Sequence, residues 1–183
     1  MSQEFVASRL DVKAFAKAGA DLSGQESLSK YGRLMEEAGG RGADRPVQWR
    51  ARGETRAGAG GLAQLWLHLQ VQLSLPLICQ RCMQGMDHDM ALERSFRFVA
   101  TEAQAEAEDE EAEEDVLALS PSFNLHELIE DELLMALPLV PRHERCPTEV
   151  TLAARDDDFD AAEAAKPNPF AVLADLKAGK PGK

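Results

Sequence analysis

Several things are scarce in this chain, and each scarcity narrows what it can be. Its 183 residues include only 3 cysteines, too few and odd in number for a disulfide framework, which points to a reducing setting. Aromatic residues make up 5%, and no segment approaches the run of about 20 apolar residues that spans a bilayer. Met1 to Leu10 carries Glu4 and Arg9 and lacks the apolar stretch of a secretory signal, so a cytoplasmic location and no membrane partner are expected. Gly58, Gly60 and Gly61 lack the lysine and following helix of a phosphate-cradling loop. His68, His88, His126 and His143 have no serine or cysteine partner in a recognisable nucleophile motif. His88 lies between Asp87 and Asp89 on an expected strand, where alternation turns both carboxylates to the other face. Nothing here asks for catalysis, and the chain reads as a non-enzyme.

What the chain does have is acid, unevenly spread within a net charge of −12. Residues 1–98 hold 13 basic and 11 acidic side chains, whereas residues 99–183 hold 7 and 21, a net of −14. Such a half repels phosphate backbones and suits a basic protein partner. Plain solubility is the alternative reading of the same charge.

Periodicity divides the chain, taken as a single domain over 1–183, into five stretches. Residues 1–45 read as helical in patches: Asp11 can cap a helix bearing Val12, Phe15 and Ala16, and Leu28, Tyr31, Leu34 and Met35 recur at helical spacing. Residues 46–100 read as β-rich. Val47, Trp49 and Ala51 alternate with Gln48, Arg50 and Arg52, and Leu65, Leu67, Leu69, Val71, Leu73 and Leu75 fall on one face of a long strand. Met90, Leu92, Phe96 and Phe98 alternate again, with Arg94 and Arg97 partly breaking the rule. From Glu102 to Asp115 there are nine acidic residues and no basic one, so 101–121 reads as a flexible acidic linker, a solvated helix being the alternative. Residues 122–138 form a helix with Asn124 and Glu127 as a capping box and Pro138 as its stop. Residues 139–183 are a tail with a short helix opening at Asn168-Pro169. The fold class these stretches imply is α+β: a small antiparallel sheet or partial barrel with flanking helices.

Three groups of residues are candidates for function. Cys79 and Cys82, two residues apart after the longest strand, can place both sulfurs on one tetrahedral ion, and His143 with Cys146 is a candidate second half-site. Together they offer three thiolates and an imidazole, a set for one structural zinc; reduced, unligated cysteines are the rival. Arg50, Arg52, Arg81 and Arg97 belong to a set of β-region arginines that could meet RNA phosphates, against the plainer alternative of a solvated sheet face. Phe170, Leu173 and Leu176 lie at spacings that could enter a partner's groove as a short amphipathic helix, or could cover the protein's own sheet.

Three runs also carry a resemblance. Leu75 to Cys82 (LPLICQRC), Leu125 to His143 (LHELIEDELLMALPLVPRH) and Lys166 to Lys177 (KPNPFAVLADLK) resemble, in order and spacing, the signature blocks of the YceD family of large ribosomal RNA subunit accumulation proteins. The resemblance covers roughly residues 45–100 and 120–180. It implies a role in the synthesis, processing or stability of large-subunit (23S) rRNA. The family's gene commonly neighbours one for a small basic ribosomal protein, which makes a ribosomal protein or an assembly factor the implied partner. Direct contact with large-subunit rRNA is the competing expectation, and an RNA-processing enzyme the least supported. Other family members carry a second cysteine pair after the proline-bounded helix. Here that place holds His143 and a single Cys146, so a full metal site depends on the histidine.

Overall fold

The longest alternating run becomes the spine of the molecule. A computed structural model describes residues 4–58 and 61–149. The sheet lies within the compact unit Met1–Cys146. Strands β1 (Asp21–Ser27), β2 (Pro46–Ala57), β3 (Ala63–Ile78), β4 (Gly85–Val99) and β5 (Asp115–Ala118) form one sheet in the order β1-β2-β3-β4-β5. The expected three-stranded core is β2, β3 and β4, joined antiparallel. The sheet does not curl into a barrel: it stays open, with β1 and β5 as its edges, and β5 runs parallel to β4.

Alternation sorts the side chains. Val47, Trp49, Ala51, Leu67, Leu69, Val71, Leu75 and Phe96 are buried on one face. Against that face lie α1 (Val12–Ala18), with Phe15 fully buried, and α4 (Leu125–Met135), with Leu125, Ile129 and Leu133 fully buried. Asp11 caps α1, its carboxylate accepting from Ala14 N at 2.9 Å. The helix then lies so close on β2 that a Cβ at Gly53 would stand 2.6 Å from the Phe15 carbonyl oxygen, so only glycine fits. Asn124 caps α4, accepting from His126 N at 3.1 Å. Glu130 on α4 reaches back to the start of α2 (Gly32–Glu37), taking Arg33 N at 2.8 Å and pairing with the Arg33 guanidinium at 3.1 Å.

Two stretches depart from the sequence reading. Residues 1–45 are not only helical, because β1 adds an edge strand made of DLSGQES. Its one glycine inside the strand explains its place: the Trp49 indole packs over Gly24, where a Cβ would meet the ring at 2.5 Å. The acidic stretch is not a linker throughout either. It contains α3 (Glu102–Asp109) and β5, and α3 adds Ala105 to Val99 and Val116 in a small second apolar cluster. The reason is that several carboxylates have partners. Arg97, its side chain only 10% exposed, is clasped by Glu108 and Glu114 at 2.5 Å each. Thr101 caps the helix, Gln104 bonds Glu108 at 2.6 Å, and Asp109 accepts Val116 N at 3.0 Å as β5 begins. Arg94 points to the apolar face and ends on Glu132 of α4, 3.2 Å away; burial pushes the Glu132 carboxyl up, and Arg94 only partly opposes it.

If Arg97 holds α3 in place, Arg97→Ala should speed amide exchange across Glu102–Asp109 by about tenfold or more. The Arg97 guanidinium, first among its causes, holds the Glu108 carboxyl below its ordinary value of 4.5, so this pairing stabilises at neutral pH and is lost as pH falls below that range. The difference between the two proteins should accordingly shrink in acid. Equal exchange rates at neutral pH would show that α3 does not depend on Arg97.

Candidate metal centre

At the end of β3 the chain turns sharply back into β4. Cys79 N donates to Gln84 O at 2.9 Å and Met83 N to Cys79 O at 2.9 Å, which folds Cys79 and Cys82 into one tight knuckle. Met83, directly after the second cysteine, takes the left-handed conformation with φ 59°, uncommon outside glycine and a local strain that marks the turn. The second half of the site arrives from the segment that leaves α4. Pro138 and Pro141 bar any continuation of the helix, and Gln80 N donates to Pro141 O at 2.8 Å, tying the segment to the knuckle.

These two pieces bring Cys79, Cys82, His143 and Cys146 together, with their donor atoms all within 4.8 Å of one another. Cys79 Sγ is 3.9 Å from Cys146 Sγ, and Cys82 Sγ is 3.4 Å from His143 Nδ1. Two thiolates on a tetrahedral ion with metal–sulfur bonds of about 2.3 Å stand about 3.8 Å apart, so the spacing suits that geometry. Cys79 is fully buried and the other three are half-buried. The arrangement could hold one divalent ion through three sulfurs and one nitrogen.

The surroundings favour the thiolate at Cys79 and oppose it at Cys82. Burial opposes ionisation of Cys79, but the backbone N–H groups of His143, Cys82 and Arg81 and the side chain of His143 outweigh it and bring the thiol down to about 5. Cys82 is pushed up, first by burial and also by Cys146 and Cys79. Arg81 Nε donates to Cys146 Sγ at 3.0 Å, while its Nη2 donates to the carbonyls of His143 at 2.9 Å and Glu144 at 3.3 Å. Three thiolates around a divalent ion leave one negative charge, and the Arg81 guanidinium offsets it while bracing the 143–146 loop.

The remaining sequence candidates are scattered. Arg50 and Arg52 are exposed on the polar sheet face, Arg50 bonded to Asp21 at 2.8 Å. Arg97 lies beneath α3, and Arg81 belongs to the cysteine knuckle rather than to an open basic face. Phe170, Leu173 and Leu176 lie outside the described residues. The bracing role of Arg81 was not read from the sequence, although an arginine between two cysteines is the signal that could have suggested it.

Fold and site together define an α+β protein whose open sheet carries a three-cysteine, one-histidine cluster at one end. A family model described as "Large ribosomal RNA subunit accumulation protein YceD" matches residues 67–177, a span that contains both halves of the cluster. The chain belongs to the YceD family. A curated relative from Haemophilus influenzae (strain ATCC 51907 / DSM 11121 / KW20 / Rd), also named "Large ribosomal RNA subunit accumulation protein YceD", is 38% identical over 111 residues, which is 59% of this chain. The match spans 63% of that relative, somewhat less than two thirds of its length. No solved structure matches.

The reduced chain should bind one equivalent of cobalt(II) with a thiolate-to-metal charge-transfer band, and Cys79→Ser should abolish the band. Arg81→Ala should keep the stoichiometry yet release metal to a chelator about tenfold faster, the usual scale for removing a group that orients a ligand. Absence of the band from the wild-type protein would dismiss the site. Release from Arg81→Ala at the wild-type rate would instead dismiss the bracing role.

Proposed function

We propose that the chain is a non-catalytic cytoplasmic factor in large-subunit ribosome biogenesis, needed for its large-subunit (23S) rRNA to accumulate. Family membership is the observation that carries this reading, supported by the relative's name. The cluster, on this reading, holds one structural zinc. A site with four protein donors leaves a tetrahedral ion no open position for water or substrate, which is the pattern of structural rather than catalytic zinc. Zinc there would fasten the segment after α4 to the end of the sheet, and the free energy of binding would stabilise the fold.

The partner in this reading is a basic ribosomal protein or another assembly factor. The net charge of −14 over residues 99–183 supports a cationic protein more than a polyanion. The tail residues Phe170, Leu173 and Leu176 are proposed as one set of anchors for it. Direct rRNA contact through Arg50 and Arg52 is the second reading, and these two with Arg56 and His68 do line one hollow of the polar sheet face. That hollow also contains Glu54 and Glu93, Glu54 pairs with Arg56 at 2.9 Å, and Asp21 occupies Arg50, so a protein partner is better supported.

In cells depleted of the endogenous protein, the wild-type chain should restore the ratio of large- to small-subunit rRNA. The double variant Phe170→Ala, Leu173→Ala should fail to do so while its melting temperature stays within about 2 °C of wild type, since these residues are proposed to face a partner rather than the core. Full restoration by the double variant would remove the tail from the mechanism. Failure of the wild-type chain to restore the ratio would remove the function itself.

A further inference from the structure

Beside the sheet edge formed by β5 runs a groove of about 580 Å³, with α4 as its other wall. Its apolar lining comes from Phe96 of β4, from Val116 and Leu117 of β5, and from Leu128, Leu134 and Met135 of α4. Met135 is 69% exposed, a large apolar side chain that the described fold leaves in water. Asp109 and Asp115 line the same groove and are exposed. Glu110, Glu111 and Glu113 follow on the exposed turn between α3 and β5. Arg33 also lines the groove but is committed to Asp131, another lining residue, at 2.6 Å; nearby, Arg94 is paired with Glu132, and Arg97 with Glu108 and Glu114.

We propose that this groove is the docking surface for a lysine- or arginine-rich protein segment that presents an apolar side chain to Met135 and Leu128. The inference rests on the reading of a basic protein partner and gives that partner a place on the sheet. Two properties of the groove select the occupant. The apolar floor supplies area that gains from leaving water, and the acidic wall gives cations a favourable, register-setting contact. Nucleic acid is disfavoured, because its phosphates would face Asp109, Asp115 and the glutamates of the turn at close range. Free extension of the sheet by an added strand is also blocked at one point, since the Asp109 carboxylate already takes Val116 N. The occupant is therefore held by its side chains along the groove.

The test uses the full-length metal-loaded protein and a fluorescein-labelled amphipathic peptide of lysine and leucine, with a glutamate–leucine peptide of the same length as control. Asp115→Lys combined with Met135→Ser changes two exposed groove positions. Asp44→Lys combined with Asp89→Lys reverses more charge at exposed positions that do not line the groove. The groove variant should weaken peptide binding by about tenfold or more, and the control variant by less than about threefold. Equal weakening by both variants, or no saturable binding of the lysine–leucine peptide, overturns the groove. So does binding of a large-subunit rRNA fragment that the groove variant, and not the control variant, abolishes. In depleted cells the folded groove variant should fail to restore large-subunit rRNA. Full restoration by it beside a working wild-type chain overturns the groove and leaves the function standing, whereas a wild-type chain that fails to restore overturns the function itself.

Discussion

The structure depends on β3 being paired along both edges. It bonds to β2 from Ala63 to Gln72 and to β4 from Leu65 to Ile78, so from Leu65 to Gln72 its backbone polar groups are met on both sides. That frees its alternating leucines and Val71 to form a continuous apolar face, and α1 and α4 have a surface to bury against. The same strand carries function at its end. Ile78 is its last residue, and the turn beyond it holds Cys79 and Cys82. A one-residue slip of β3 would turn the leucines to water and displace the knuckle from the segment leaving α4.

Arginines do the second job, adding ion pairs and hydrogen bonds between pieces of the fold. Arg94 ties β4 to α4 through Glu132, Arg97 holds α3 through Glu108 and Glu114, and Arg81 braces the loop of His143 and Cys146. Each has its partner in an acidic or sulfur-bearing segment distant in sequence. An acidic second half thus serves two ends: Glu108, Glu114 and Glu132 are neutralised within the fold, while Glu110, Glu111, Glu113 and Asp115 stay exposed, where the proposed partner would meet them.

How much of this was legible in the sequence depends on the range of the interactions. The alternation of Leu65 to Leu75 and the helical spacing of Leu125 to Leu133 are local, and they located β3 and α4 without any tertiary knowledge. Strand β1 was invisible because Ser23, Gly24, Gln25 and Glu26 have little strand propensity of their own, and its position depends on the Trp49 indole lying over Gly24. Helix α3 was legible only as the alternative to a flexible linker, because a stretch with nine carboxylates gives no sign of what holds it until Arg97 is known to lie beneath it. At the candidate site the four donor residues could be named from spacing and resemblance, but their convergence is a tertiary fact. The commitment of Arg81 to Cys146, 65 positions away, is likewise a tertiary fact, hinted at only by its place between two cysteines.

On the proposed reading, the two half-sites close on one zinc ion and so clasp the segment after α4 to the end of the sheet. Zinc K-edge absorption on protein purified without chelator measures this directly. The expected result is one zinc per chain with about three sulfurs at about 2.3 Å and one nitrogen at about 2.0 Å, the shell that Cys79, Cys82, Cys146 and His143 would supply. Protein without zinc, or zinc in a shell of nitrogen and oxygen alone, would contradict it.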